Sequence, residues 1–460
     1  MNVTANTYDA YQLLHEGILA LSNAEQTGFR VDLDYLERKI AFLKRKSTRL
    51  EEEFKDTNFF KHWQHSSKKK INIDSSVQLG HYLYGVKKLV PAKTTITGKG
   101  STDIEALQQL NIPELDILLE KGKLKKTIDV LEGFKVEQVD GIIHPFFNLN
   151  LVRTYRSSSD HPNFQNIPKR DEVMMQTVRK ALYPRPGHQF LEIDYSGLEV
   201  KIAACYHKDP NMLKYLRSNY DMHSDMTKQL FLLKEYDKKS PEHYTLRQAT
   251  KNGFVFPEFY GSYYKNCAVN LACNWGKLPQ GKWKPGQGIP MPEGTLSDHF
   301  ISKKISSLDS YTNHVKKIED DFWGNRFYHY AKWKERNWNE YRKNGYIDLL
   351  TGFRCSGVMG KNDVSNYGTQ GAAFHCLLWS FIELDKMRIR EKWDTCLVGQ
   401  IHDAIILDIN PNELDHVIKS AKRITTLDLL EHWKWIIIPL EVEMELCSID
   451  APWSAKEKLR

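Results

Sequence analysis

The chain has little cysteine and no pattern in the little it has. Its seven cysteines are odd in number, scattered over 460 residues and never spaced C-x-x-C. A disulfide framework and a cysteine-based zinc site are therefore excluded, and a reducing, cytoplasmic compartment is expected. Long apolar runs are missing as well: no stretch reaches the roughly 18 residues of a membrane span. The first residues are polar, without the apolar segment of a secretory signal. Neither sign of charge dominates, with 65 Lys plus Arg against 58 Asp plus Glu, so the net +7 is only a mild pull toward a polyanionic partner. Internal repeats and low-complexity tracts are absent. What is abundant is aromatic: 11 Trp, 22 Tyr and 20 Phe indicate a folded protein with stacking surfaces. The length predicts two or three subdomains.

Two stretches organise the rest. In residues 190–200 a short apolar run ends in Asp194 and turns into a helix, with Ser196 and Glu199 spaced as a capping box. On its own this fits a plain loop-entry acid equally well. Residues 396–408 predict two buried strands joined by a tight turn, with His402 and Asp403 at the tip. A carboxylate between two apolar runs needs a partner, and a metal would supply one.

Around these lie more diffuse signals. Apolar spacing predicts helices over 11–24, 34–54, 75–84, 102–110, 121–136 and 365–388, the last carrying Asn366 and Gln370. Residues 61–70, with His62, His65, Lys68, Lys69 and Lys70, look loop-like and suited to touching phosphates; 94–100 is a second basic loop. Residues 156–168 form a polar loop holding Arg156, Asn163, Gln165 and Asn166. It is either a hydrophilic connection or a surface that meets a phosphodiester backbone or minor-groove acceptors. Ser240 and Pro241 start a helix that places Arg247 and Lys251 on one face as a phosphate clamp; Pro257 is expected to kink it. Residues 276–297, rich in Gly, Pro and Lys, predict an inserted loop, and 311–344 a helical stretch.

Two acids on separate strands, a cation pair and a backbone-binding loop are the parts that two-metal phosphoryl transfer requires. Here the sequence closely resembles the family A DNA polymerases, the bacterial DNA polymerase I type. Asp194-Tyr195-Ser196-Gly197-Leu198-Glu199 is similar to the family's D-Y-S-Q-I-E, and Gln400-Ile401-His402-Asp403 to its x-V-H-D-E. Arg247, Lys251, Tyr260 and Gly261 resemble R-x3-K-…-Y-G, and 156–168 matches R-x-S-S-x-x-P-N-x-Q-N-I-P. Asp221-Met222-His223 resembles D-x-H, and Asn366 with Gln370 and Gly371 resembles N-x3-Q-G. The motifs keep the family's order, and the similarity runs from about residue 11 to 453.

The resemblance implies an α+β right hand with an antiparallel-sheet palm and largely helical thumb and fingers. The palm would comprise 1–33, 131–211 and 351–460, the thumb 34–130 and the fingers 212–350. It also implies a nucleotidyltransferase that extends a primer 3′-hydroxyl with deoxynucleotides in DNA replication or repair. Asp194, the Tyr195 carbonyl and Asp403 would hold two Mg²⁺ ions. Glu199 would act as a gate against the sugar 2′-hydroxyl. His223, Arg247 and Lys251 would hold the triphosphate, with Lys251 protonating the leaving pyrophosphate. Tyr260 would lie beside the templating position. Arg156, Asn163, Gln165, Asn166, Asn366, Gln370, Gln400 and His402 would meet DNA.

The sequence departs from the pattern at four points. Gly197 replaces the family's Gln, Ala404 replaces its Glu, and Asn362 stands where Arg is frequent. One extra residue separates Lys251 from Tyr260, so the base-stacking aromatic is Phe256 or Phe254. The polymerase-like region begins within the first dozen residues, so neither 3′–5′ nor 5′–3′ nuclease activity is expected. Proofreading would fall to a separate exonuclease chain, as in a split, phage-type gene, and a replisome or processivity protein is another expected partner. The other readings are a single-subunit RNA polymerase, against which Glu199 and the 156–168 loop argue, a non-catalytic DNA-binding subunit, and a repair or lesion-bypass polymerase.

Overall fold

Gln189–Tyr195, buried at every position but Asp194, is the middle strand of a five-stranded antiparallel sheet. The order across the sheet is Cys396–Ile401, Ala404–Ile409, Gln189–Tyr195, Val442–Leu446 and Glu457–Lys458. Side chains alternate between its faces. On one, Phe190 packs with Phe29, whose ring stacks on Phe164 at 4.4 Å, and Phe164 stacks on Trp453 at 5.7 Å. Glu192 shares that face and is almost fully buried. It accepts from Trp453 Nε1 at 2.8 Å and pairs with Arg179 at 3.1 Å and Lys456 at 2.7 Å. Burial pushes its pKa up, but the two cations outweigh that and hold it below the usual value. On the other face the Tyr195 hydroxyl meets Ser380 Oγ at 2.7 Å, which docks the helix Lys361–Glu391 on the sheet. Gly371 on that helix has no substitute, because a Cβ there would lie 2.4 Å from the Thr154 carbonyl.

This computed structural model describes residues 5–459 except 92, 93, 96, 168–170, 219 and 277. Ile96, Pro168 and Lys277, each within a stretch named above, lie outside the described residues. The chain divides into two compact units. The first takes residues through Arg45, Lys123–Arg217 and from Lys332 onward, and contains the sheet. The second, Lys46–Gly122 with Ser218–Ala331, is mainly helical. Its cores are aromatic: Phe54, Phe59, Phe60, Trp63 and Tyr82 in one part, Phe254, Phe259 and Phe322 in another.

Three local expectations change. Residues 61–66 are not loop but the end of a helix, Asn58–Ser66, capped by Thr57, because Phe59, Phe60 and Trp63 bury one face of it. His62, exposed on that helix, has its Nδ1 2.8 Å from the Tyr82 hydroxyl. Within 276–297, short strands Pro290–Met291 and Gly294–Thr295 pair and lead into a helix, Leu296–Ser302. Pro257 breaks nothing: it falls in the first turn of a new α-helical segment, Phe256–Phe259, where a missing N–H costs little.

Candidate active site

Strand register places the two acids. Ala404 pairs with Asp194, so Asp403 is the next residue along, and the Tyr195 N–H donates to the Asp403 carbonyl at 3.2 Å. Two acids 209 positions apart in sequence thus lie on adjoining stretches of backbone at one end of the sheet, both half-buried. The turn bearing them is held from beneath. Gln400, 2 % exposed, donates from Nε2 to the His402 carbonyl at 2.6 Å. Its Oε1 accepts from Ser157 Oγ at 2.7 Å and Gln165 Nε2 at 3.1 Å. Both ends of the Gln400 amide are therefore committed inside the protein. His402 has a positive φ of 53°, which this network stabilises.

The Ser196/Glu199 capping box does not form. Gly197 takes a left-handed conformation (φ 63°) as N-cap of the helix Leu198–His207, and no side chain caps it. The Ser196 N–H donates instead to the Glu441 carbonyl at 2.9 Å. Glu199 is thereby available to Arg156, whose Nη1 donates to it at 3.0 Å. Asn163 caps the short turn Phe164–Asn166, and Asn163 and Asn166 are exposed. Asn366 and Gln370 are half-buried on the long helix. One carboxylate escaped the sequence reading. Glu443 pairs in register with Asp194 on the strand opposite Ala404, and its side chain meets Lys458 at 3.0 Å.

In the second unit the candidate phosphate ligands form their own cluster. Asp221 caps the helix Met222–Leu230, accepting from the His223 N–H at 3.1 Å and from Ser224 Oγ at 2.6 Å. The same carboxylate takes Arg247 two-pronged, Nε at 2.6 Å and Nη2 at 3.1 Å. Burial raises the Asp221 pKa, but the hydrogen bonds from Arg247 and Ser224 prevail and hold it at about 2. Burial, with Arg247 adding to it, lowers His223 to about 4, so the ring is neutral near pH 7. Its Nδ1 is buried with no hydrogen-bond partner among the described residues.

Beyond Thr250 the helix Pro241–Thr250 passes into a π-helical turn, Lys251–Val255, whose wider loop accommodates one more residue than an α-turn. This is the physical basis of the extra residue before Tyr260. It also separates the two phenylalanines. Phe254 is fully buried, 5.4 Å from the Phe322 ring. Phe256 lies beneath Lys251 Nζ at 5.3 Å and edge-on to His223 at 5.7 Å. Tyr260, at the end of the segment, is 43 % exposed.

Asp194, Asp403 and the Tyr195 carbonyl offer hard oxygen donors, the set that suits Mg²⁺ completed by substrate phosphates. Among the described residues no group of three or more His, Cys, Asp or Glu side chains forms a self-sufficient metal cage. Among the same residues, no helix is long and apolar enough to cross a membrane.

Residues 40–277 match the sequence model of DNA polymerase family A, just over half of the chain. The chain is 28% identical over 430 residues to DNA polymerase I of Aquifex aeolicus (strain VF5), covering 92% of this chain and 64% of that protein. It is 26% identical to the thermostable DNA polymerase I of Thermus aquaticus, over 95% of this chain and 47% of the relative. For DNA polymerase I of Geobacillus stearothermophilus the figures are 25%, 93% and 44%. The chain thus spans between 44% and 64% of these curated relatives. In three dimensions it is similar to the POL domain of Pol1 from M. smegmatis in complex with DNA primer-template and dNTP. The TM-score is 0.74 at 22% identity, over 95% of this chain and 70% of that one. That likeness bears out the α+β polymerase fold, and with the family match it leads to one conclusion: this chain belongs to DNA polymerase family A.

Proposed function

We propose that the chain extends a primer 3′-hydroxyl with deoxynucleoside triphosphates under the direction of a template strand. The observation that carries this is the register that sets Asp403 beside Asp194. These carboxylates and the Tyr195 carbonyl would hold two Mg²⁺ ions. When bound, the ions make the primer hydroxyl a better nucleophile and offset charge on the triphosphate. His223, Arg247 and Lys251 grip the triphosphate, and Lys251 supplies a proton to the departing pyrophosphate. Phe256 stacks on the incoming base, Tyr260 lies by the templating position, and Glu199, oriented by Arg156, stands where a ribose 2′-hydroxyl would go. Arg156, Asn163, Asn166, Asn366, Gln370 and His402 meet the primer–template. Gln165 and Gln400 serve DNA by holding the His402–Asp403 turn.

In this reading 1–33, 131–211 and 351–460 act as palm, 34–130 as thumb and 212–350 as fingers. The enzyme works in the cytoplasm in replication or repair. Primer extension tests it: the purified chain with Mg²⁺ should extend with deoxynucleotides and not with ribonucleotides, and no extension with either set would sink the proposal. Glu199→Ala should admit ribonucleotides.

A further inference from the structure

Three aromatic side chains of the first unit, His432, Trp433 and Trp435, stand in file near its surface, with Trp379 packed against the first two, 6.4 Å from Trp433, and the active site uses none of them. Trp379 stacks on His432 with centroids 4.9 Å apart and planes at 23°. His432 meets Trp433 at 5.2 Å, and Trp433 meets Trp435 at 5.6 Å and 30°. His432 and the intervening Lys434 are exposed, and the three indoles are only half-buried. Trp435 forms part of the wall of an open cavity of about 820 Å³, which Trp333 and Tyr341 also line.

The cavity is positive. Lys208, Arg336, Lys343 and Arg354 line it against two carboxylates, Glu340 and Asp348. Arg354 is committed to Asp348 at 2.7 and 2.9 Å, whereas Arg336 only reaches Glu340 at 4.0 Å. His207 adds no charge, because burial lowers it to about 3. The far end of the file is mixed: Glu383, Asp9 and Glu16 face His432 together with Lys386. The indole N–H of Trp435 is buried with no hydrogen-bond partner among the described residues.

Half-exposed rings at successive steps, with cations along one end, match what unpaired bases require. Every base presents a π face, and its phosphates follow positive charge. Bases within a duplex already stack on each other and could not use the rings. We propose that the His432–Trp435 file and its cavity form a docking track for single-stranded DNA that shares no residue with the polymerase centre. Bases stack on Trp433 and Trp435, and phosphates run along Lys208, Arg336 and Lys343.

The test is the affinity of the full chain for a labelled oligothymidylate of about 16 nucleotides. One variant combines Trp433→Ala with Trp435→Ala; a second, Arg336→Gln with Lys343→Gln, changes only a helix surface and guards against misfolding of the first. Each should weaken binding at least about tenfold. The second should also lower the slope of log affinity against log salt by about 1.4. Both should extend a primer with a one-nucleotide template overhang at the unaltered rate. Unchanged oligothymidylate binding in the charge variant would overturn the track and leave the rings to a protein partner. Complete displacement of the oligomer by the short-overhang duplex would overturn it too. A chain that binds the oligomer but extends nothing would keep this proposal and defeat the polymerase reading.

Discussion

The carboxylates and the phosphate ligands are held by different means. In the first unit backbone register does the work: Asp194 and Asp403 end neighbouring strands, and a buried amide network locks the turn between them. A slip of one residue would turn Asp194 to the opposite face, so the whole sheet resists displacement of either acid. In the second unit the cations depend on side-chain contacts. Arg247 leans on Asp221, and Lys251 rides on a π-turn above Phe256. Metal ligands need fixed positions, whereas groups that receive a triphosphate need reach. Damage to the first region should therefore be close to all-or-none and damage to the second graded.

The sharpest way to break that contrast is Asp194→Ala or Asp403→Ala. Each should lower primer extension by roughly 10³-fold or more while primer–template affinity, read by fluorescence anisotropy, stays within a few-fold. Graded losses there would erase the distinction. Asp221→Asn comes next. It keeps shape but weakens the two-pronged hold on Arg247, and should raise the KM for deoxynucleotides about tenfold with a smaller change in kcat. Gln400→Ala should cost about 1–3 kcal/mol of stability, measured by denaturant unfolding, because it strands the His402 carbonyl and Ser157.

The smallest effect lies behind Phe256. Glu258, 1 % exposed, accepts from Trp323 Nε1 at 2.8 Å, and burial, reinforced by the charge of Glu319, pushes it up to about 7. A carboxyl raised above its ordinary value binds its proton more tightly when folded. Its contribution is full below about pH 4.5 and is lost as pH rises through about 7. Thermal unfolding of the natural chain should therefore shift to lower temperature between about pH 4.5 and about pH 7, and Glu258→Gln should shift less. Equal shifts in the two proteins would remove Glu258 as the cause.

Much of this was legible from residue order alone, for identifiable reasons. Apolar runs interrupted by one acid mark Asp194 and Asp403, and Ser240-Pro241 marks a helix start that the structure keeps. Their adjacency was not legible, because register is a property of three strands in space. Glu443 was invisible for the same reason: Val442–Leu446 alternates like any strand, and only pairing puts its acid opposite Asp194. The Ser196 cap failed because Gly197 can adopt a left-handed conformation that moves the helix start past the serine. The π-turn has no sequence period of its own; its trace was the one surplus residue before Tyr260, which periodicity alone could not interpret.

The central claim is that Asp194 and Asp403 share a pair of divalent ions. Electron paramagnetic resonance of Mn²⁺ in the complex with a dideoxy-terminated primer–template and an incoming nucleotide tests it most directly. A magnetically coupled pair, at the roughly 3.5–4 Å of two-metal sites, is predicted for the natural chain and should vanish in Asp194→Ala and in Asp403→Ala. Isolated Mn²⁺ signals, or a coupled pair that survives loss of either acid, would contradict it.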